Sequence, residues 1–386
     1  MSDVFDVELS GSHRHFSVAP GETVLAASRR AGLALPYSCL SGRCGSCSAR
    51  VLSGRWHYPY QPPSALTARE RLDHALLCQA VAQSDLQLAI REIDAVAALP
   101  IVQRTTRVLS KILLSPEVLE LRLGLGEPLR YLPGQYLEFL LPDGKRRPFS
   151  IANAPDASGE LQLHVRKVAG GGFTQALFEQ IAVGSELLIE APHGTFVPRA
   201  GSDRPLIFVA GGTGFAPIKA LLEHYCAHDA KREMHLYWGV RVASELYLLP
   251  VIHAFQRQVR SLSYLPVLSE QADPASRYGV VHEVVLEEHP NLARYDLYMS
   301  GPPAMISAAR GAFLAAGLPE ERLYYDSFDF APDVLAKLIQ ARRAPAFGQT
   351  PQEPILVALA PQSLLTAQSW CTSSSPALPG EIGIAS

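Results

Sequence analysis

The chain has 386 residues, too many for one ordinary core and suited to two or three domains. At 48% hydrophobic and 18% charged, most of it is expected to be globular, and a formal charge of −3 argues against nucleic acid as the main partner. No apolar run is long enough for a membrane span, and the opening "MSDVFDVELS" lacks a signal-peptide core, so a cytoplasmic location is expected.

In chain order, "FDVELSGSHRHFSV" alternates as a hairpin turned by Gly11-Ser12. "TVLAASRRAGL" has helical spacing and closes on Gly32, and "DLQLAIREI" reads as a strand before the apolar linker "DAVAALP". From about 101, "VLELRLGL", "YLEFLL", "LQLHVRKV" and "ELLIEAP" are short alternating runs between turns, the pattern of an antiparallel barrel or sandwich. From about 205, "LIFVA", "MHLYWGV", "SYLPVL", "DLYMS" and "LYYDSF" are apolar strands, mostly separated by helical stretches, which implies a parallel sheet. After Phe330 the composition shifts to Pro, Ala, Ser and Gln, and residues 331–386 are expected to form a poorly ordered tail.

Cys39, Cys44, Cys47 and Cys78 follow the spacing C-x4-C-x2-C-x30-C, which is that of a plant-type [2Fe–2S] site. Four thiolates must converge on a compact anionic cluster, so a tight loop supplies three and a distant segment the fourth. Gly42 and Gly45 let that loop curl and aim N–H groups at sulfur. A structural zinc site prefers paired C-x2-4-C knuckles, and only Cys44 and Cys47 form such a pair. Cys226 reads as a small buried hydrophobe, and Cys371 stands alone.

Three further segments carry chemistry. "RRPFSIAN" (146–153) is followed by "HVRKVAGGGFTQAL"; "LIFVAGGTGFAPIKALLEH" places Gly211, Gly212, Thr213 and Gly214 between a strand and a helix, where amides favour phosphate. "YMSGPPAMI" (298–306) is a second glycine–proline turn after a strand.

Together these segments resemble the ferredoxin–NADP reductase superfamily over about residues 1–330. In that family R-x-[YF]-[ST] binds the flavin, which implies that Arg147 pairs with a pyrophosphate, Phe149 packs on the isoalloxazine and Ser150 bonds near N5. Phe149 stands where a tyrosine is common. Gly171, Gly172 and Thr174 match the phosphate loop and favour FAD over FMN. Gly301 and Pro302 match the nicotinamide-side C-G-P-P, with Ser300 in place of its cysteine, and Phe328 matches the aromatic at the flavin face.

The resemblance implies three domains: a β-grasp plant-type ferredoxin of α+β class at 1–95, an antiparallel β-barrel FAD domain at 101–202 and an α/β parallel-sheet NAD(P) domain at 203–330. That order is similar to the reductase components of bacterial ring-hydroxylating dioxygenases and monooxygenases and to CDP-6-deoxy-Δ3,4-glucoseen reductases. It implies an oxidoreductase that takes a hydride from NADH onto FAD and passes single electrons through the cluster to a terminal oxygenase or another one-electron acceptor protein, such as an iron–sulfur deoxysugar dehydrase. Arg241 is a lone cation with Glu245 nearby, so NADH is expected over NADPH. The competing readings are a redox- or nucleotide-sensing binding protein and a zinc-stabilised structural module.

Overall fold

The first two strands, β1 (Phe5–Leu9) and β2 (Arg14–Val18), bury Val7, Leu9, Phe16 and Val18 on one face, as period-two patterning requires. In this computed structural model, residues 4–60, 63–168 and 172–328 are described. The expectations for Gly171, Cys371 and the tail 331–386 lie outside them. The β1–β2 turn spans residues 10–13, and its left-handed position falls on His13 (φ 52°). Helix α1 (Val24–Arg30) starts on Thr23, whose Oγ1 accepts from the Ala26 N–H at 3.3 Å. It ends as the sequence suggests: Gly32 takes φ +74°, its N–H reaches Arg29 O, and the Leu33 N–H reaches Ser28 O.

After the cysteine loop come β3 (Ser48–Ser53), β4 (Trp56–His57), β5 (His74–Leu76), β6 (Val81–Ala82) and β7 (Leu86–Ala89), then a short helix α2 (Asp94–Ala97) in the expected linker. The main sheet has the order β2-β1-β7-β3-β5, with β1 and β7 parallel and the other pairs antiparallel. A mixed sheet clasping one helix is the β-grasp arrangement.

The second domain comprises β8 (Val102–Ser115), β9 (Val118–Leu125), β10 (Tyr136–Leu140), β11 (Arg146–Ser150), β12 (Leu161–Arg166), α3 (Gly172–Glu179) and β13 (Glu186–His193). All neighbours in the order β11-β10-β13-β8-β9-β12 are antiparallel. An Ile151–Leu163 bridge and an Ala152 N–H to Gln162 O bond of 2.7 Å close the outer strands into a barrel. Leu121, Leu137, Phe139 and Val165 fill it.

The third domain contains β14 (Leu206–Gly211), α4 (Phe215–His228), β15 (Met234–Val240), α5 (Leu249–Gln258), β16 (Leu262–Leu268), β17 (Arg277–Tyr278), α6 (Val281–Glu288), β18 (Asp296–Gly301), α7 (Pro303–Ala315) and β19 (Leu323–Ser327). The order β17-β16-β15-β14-β18-β19 is parallel throughout. β14 is buried at all six positions, so it reads as a continuous apolar run: Phe208 packs on one face, Ile207 and Val209 on the other. Strand order reverses between β14 and β18, the switch point outside whose carboxyl ends such sheets bind their ligands.

Specific bonds join the three domains. Tyr37 N–H donates to Thr195 Oγ1 at 2.9 Å, and Arg310 Nη1 reaches Glu70 at 2.8 Å. Buried Lys219 on α4 donates to Ala152 O, Gln162 Oε1 and Glu223, whose other oxygen accepts from Ala154 N–H at 2.7 Å.

Candidate active site

The cysteine loop is shaped by three left-handed residues, Leu40 (φ 54°), Gly42 (φ 74°) and Gly45 (φ 81°). A Cβ on Gly42 would stand 2.9 Å from Pro63 Cβ and 3.0 Å from Gln79 Cγ, so sterics and φ both demand glycine. Gln79 Nε2 donates to Leu40 O at 2.9 Å and so ties the loop to the segment that holds Cys78. The amides of Ser41 and Cys44 each point at Cys39 Sγ at 3.4 Å.

The thiols interact as two pairs. The Cys44 thiol holds Cys39 down to about 5, while Cys44 is pushed up by that same bond and by burial. Cys78 is lowered mainly by Cys47, and Cys47 is raised mainly by Cys78 and burial. A single tetrahedral zinc with Zn–S near 2.3 Å would need every sulfur pair at about 3.8 Å. Among the described residues no three cysteine sulfurs lie within 4.8 Å of one another; the one trio of His, Cys, Asp or Glu that does is Glu138, Glu190 and His193. Two pairs suit a two-iron cluster better than one zinc ion.

A cavity of about 710 Å³ opens beside this loop, within the size range of cofactor sites. All three domains wall it. Ser38 and Cys39 come from the cysteine loop, Arg147, Phe149 and Ser150 from β11, Thr174 from α3, and Gly211, Gly212, Thr213, Pro302 and Phe328 from the third domain. Phe149 is held by Phe139 and Phe173, at ring separations of 5.5 and 6.2 Å. The Phe328 N–H donates to Gly301 O at 3.3 Å. These features form a cradle that fits FAD with a nucleotide beside it.

Other expected residues stand behind the wall. Gly172 starts α3, one residue before the wall residue Phe173. A Cβ on Gly214 would stand 2.2 Å from Ser300 O, and one on Gly211, which is itself in the wall, would stand 2.5 Å from Met305 Sδ. These two glycines therefore let the β14 turn pack against the β18–α7 turn, a role distinct from approach to phosphate. Ser300 is fully buried, and among the described residues its hydroxyl has no partner. Cys226 packs partly buried against the core, and burial pushes its thiol up to about 11.

Among the wall residues that sequence reasoning missed are Arg166 and Asp326. Arg166, at the end of β12, lies 3.5 Å from where a Gly212 Cβ would be and 3.7 Å from Glu245. Asp326 is a buried carboxylate in β19 that accepts from Ser38 Oγ and, at 3.4 Å, from Ser150 Oγ. The available signal was a lone acid inside the apolar "LYYDSF", because a buried charge needs a reason.

The two arginines of "RRPF" differ. Arg146 bonds Glu138 at 2.8 Å and Glu190 at 2.5 Å, and it holds Glu190 down to about 2. Both acids border His193, whose pKa burial depresses. Cys78 borders a second cavity of about 580 Å³ that shares no residue with the first. Among the described residues no Asp, Glu, Lys or Arg lines this second cavity, and Tyr60 on its wall is 84% exposed.

Comparison with known proteins agrees with this architecture. The profile of the 2Fe-2S iron-sulfur cluster binding domain matches residues 7–83, that of the oxidoreductase FAD-binding domain matches 105–197, and that of the oxidoreductase NAD-binding domain matches 208–311. The ferredoxin–NAD(+) reductase component of the alkene monooxygenase system of Xanthobacter autotrophicus is 36% identical over 322 residues, 82% of this chain and 98% of its own length. The CDP-6-deoxy-L-threo-D-glycero-4-hexulose-3-dehydrase reductase of Yersinia pestis is 34% identical over 330 residues, 84% of this chain and 98% of its own. The crystal structure of Amycolatopsis cytochrome P450 reductase GcoB superposes with a TM-score of 0.68 at 34% identity, covering 84% of this chain and 98% of that one.

A β-grasp domain, a flavin barrel and a nucleotide sheet around one cleft define an electron-transfer oxidoreductase. The chain belongs to the ferredoxin–NAD(P)H reductase superfamily, in its three-domain form with 2Fe-2S, FAD-binding and NAD-binding domains. No described helix is long and apolar enough to cross a membrane.

Proposed function

We propose that the protein is an NADH-dependent reductase that feeds single electrons to a cytoplasmic partner, either a terminal oxygenase component or an iron–sulfur deoxysugar dehydrase. The observation that supports it most is the shared wall: Cys39, Ser150, Thr213 and Phe328 all face one cavity. When bound, FAD takes two electrons with a hydride and releases them one at a time, and the cluster accepts one.

The chain's own residues supply binding and position. Arg147 forks onto the flavin pyrophosphate, with Thr174 and the α3 amides beside it. Phe149 packs against the isoalloxazine, and Ser150 orients its reacting edge. Gly212 and Thr213 before α4, with Pro302 and Arg166, would hold the dinucleotide in the same cavity as the flavin. Phe328, on the same cavity wall, would pack against the bound flavin. Ser300 and Gly301 act from behind by setting the turn on which Pro302 stands.

The preference for NADH follows from Glu245. It accepts from Arg241 Nη2 at 2.6 Å and from the Arg241 N–H at 2.9 Å, and it lies 3.7 Å from Arg166, so it neutralises the cations a 2′-phosphate would need. Cys39 faces the flavin cavity and Cys78 the second cavity, which no described Asp, Glu, Lys or Arg lines, so electrons enter on one side of the cluster and leave on the other. Replacing Tyr60 with Lys then raises KM for the partner protein but not for NADH; equal effects on both would refute that outlet. The proposed domains are 1–95, 101–202 and 203–330.

An anaerobic titration with NADH tests the whole reading. Both flavin and iron–sulfur absorption bands should bleach, the second with the signal of a reduced [2Fe–2S] centre. A protein with zinc and no iron, or one whose bands stay unchanged with NADH, would end it in favour of a structural or sensing role.

A further inference from the structure

β19 carries two consecutive residues, Tyr325 and Asp326, that meet the cysteine loop or the flavin strand. Ser46 Oγ donates to Tyr325 O at 3.4 Å, and the Tyr325 hydroxyl lies 3.3 Å from where a Gly45 Cβ would be. Asp326 Oδ1 accepts from Ser38 Oγ, one residue before Cys39, and Oδ2 accepts from Ser150 Oγ. Tyr136 Oη adds a bond of 2.9 Å to Ser38 O. Phe328 then enters the cavity.

Asp326 is 5% exposed, and among the described residues no cation pairs with it. A carboxylate buried without a cation is costly, and an apolar side chain would avoid that cost. Both oxygens are instead used to hold hydroxyls from two other domains. The same carboxyl group thus touches the neighbour of a cluster ligand and the residue assigned to the flavin's reacting edge.

We propose that Asp326 is a positioning residue that clamps the cysteine loop to Ser150 and so fixes the gap over which electrons pass from flavin to cluster. This rests on the reductase reading above. Asp326 itself exchanges no electron: the reduced flavin is oxidised, the cluster is reduced, and the carboxyl group sets their separation. Transfer between two centres weakens steeply as the gap widens, so a small displacement of the loop is costly even with both cofactors bound.

The test compares Asp326→Ala, Asp326→Asn and Ser38→Ala in the full-length protein. Asn keeps one acceptor and one donor for the two hydroxyls, so it retains the clamp without the charge. In rapid mixing with NADH, cluster reduction after flavin reduction should slow by about tenfold or more in Asp326→Ala, with partial recovery in Asp326→Asn. Ser38→Ala should show the same sign, and combining it with Asp326→Ala should add little. Independently of turnover, amide hydrogen exchange at residues 38–47 should rise in Asp326→Ala and stay near the parent level in Asp326→Asn.

Three results would overturn the clamp. The first is cluster reduction within about twofold of the parent in Asp326→Ala at equal iron and FAD content. The second is unchanged exchange at 38–47. The third is Asp326→Asn as slow as Asp326→Ala, which would place the function in the charge. If the parent's own cluster fails to reduce with NADH, the reductase reading fails instead, and that outcome is visible before any variant is made.

Discussion

In the cysteine loop, three of four thiols fall within nine residues, whereas the cleft takes Ser38, Ser150, Thr213 and Asp326 from three different domains. The loop's geometry is fixed by local backbone, through Leu40, Gly42 and Gly45. The cleft's geometry is fixed by bonds between domains, such as Tyr37 to Thr195 and Lys219 to Ala152. A local ligand set fails by losing its ligand. An assembled wall fails by small displacements that leave every cofactor bound, so the two regions should break differently.

The largest expected effect tests the local side of that contrast. Cys44→Ser should remove the [2Fe–2S] signal while FAD stays bound, because the flavin domain has its own closed barrel and core. Iron and flavin content of the purified variant decide the matter. Loss of FAD along with iron would show that the loop also holds the cleft open, and normal iron content would remove Cys44 from the ligand set.

The same contrast explains what could be read in the sequence. Cys39, Cys44, Cys47 and Cys78 announce themselves by spacing, and β14 by its apolar run, since both patterns are contiguous in the chain. Arg147 and Arg146 are adjacent in sequence, yet only the structure shows Arg146 committed to Glu138 and Glu190. Asp326 could not be assigned, because its two partners lie 288 and 176 residues away. Ser300 shows the reverse: its place in the glycine–proline turn is legible, but its burial behind the wall depends on β18 pairing beside β14 and on the close approach of Gly214.

Next in size is the separation of the two arginines. Arg147→Ala should weaken FAD binding by ~1.5–3 kcal/mol, the worth of a charge-assisted contact to phosphate. Arg146→Ala should retain FAD but lower the barrel's stability, because Glu138 and Glu190 lose their shared cation beside buried His193. Flavin retention on gel filtration and the thermal midpoint separate the two. Equal flavin loss in both variants would refute the assignment of Arg147.

The seam between barrel and nucleotide domain should respond to acid through His164. This residue is buried on β12, its Nδ1 lies 3.1 Å from Tyr247 Oη, and burial depresses its pKa to about 3. The unfolded chain's histidine binds a proton near its ordinary 6.5. The stabilisation is therefore complete above pH 6.5 and is lost progressively as pH falls from there toward 3. At pH 5 the loss is about 2 kcal/mol. The urea midpoint for FAD release should fall more between pH 7 and pH 5 in the parent than in His164→Gln. Parallel declines would show that another group governs the seam.

The smallest expected effect concerns the far end of the cleft. Glu245 is 13% exposed in its side chain, whereas Arg241 is 57% exposed, so their pair is partly screened and modest in energy. It nonetheless occupies the donors of Arg241, and Arg166 stands 3.7 Å away on the other side. Glu245→Gln removes the negative charge while keeping an oxygen that can still accept from Arg241. Both guanidiniums then present more positive charge to whatever lies against the adenosine ribose, although Arg166 keeps Glu117 at 3.8 Å. A 2′-phosphate gains from that change, and a 2′-hydroxyl gains nothing. The ratio of kcat/KM for NADPH over NADH should rise by about fivefold, the size of an ion pair worth ~1 kcal/mol. Most of the change should appear as a lower KM for NADPH, because the ribose is remote from the transferred hydride and its contacts are equal before and during the transfer. A preference that stays with NADH at the same ratio would place the discriminating group elsewhere in the wall. A fall in kcat with both nucleotides would show instead that Glu245 shapes the reacting end of the cleft.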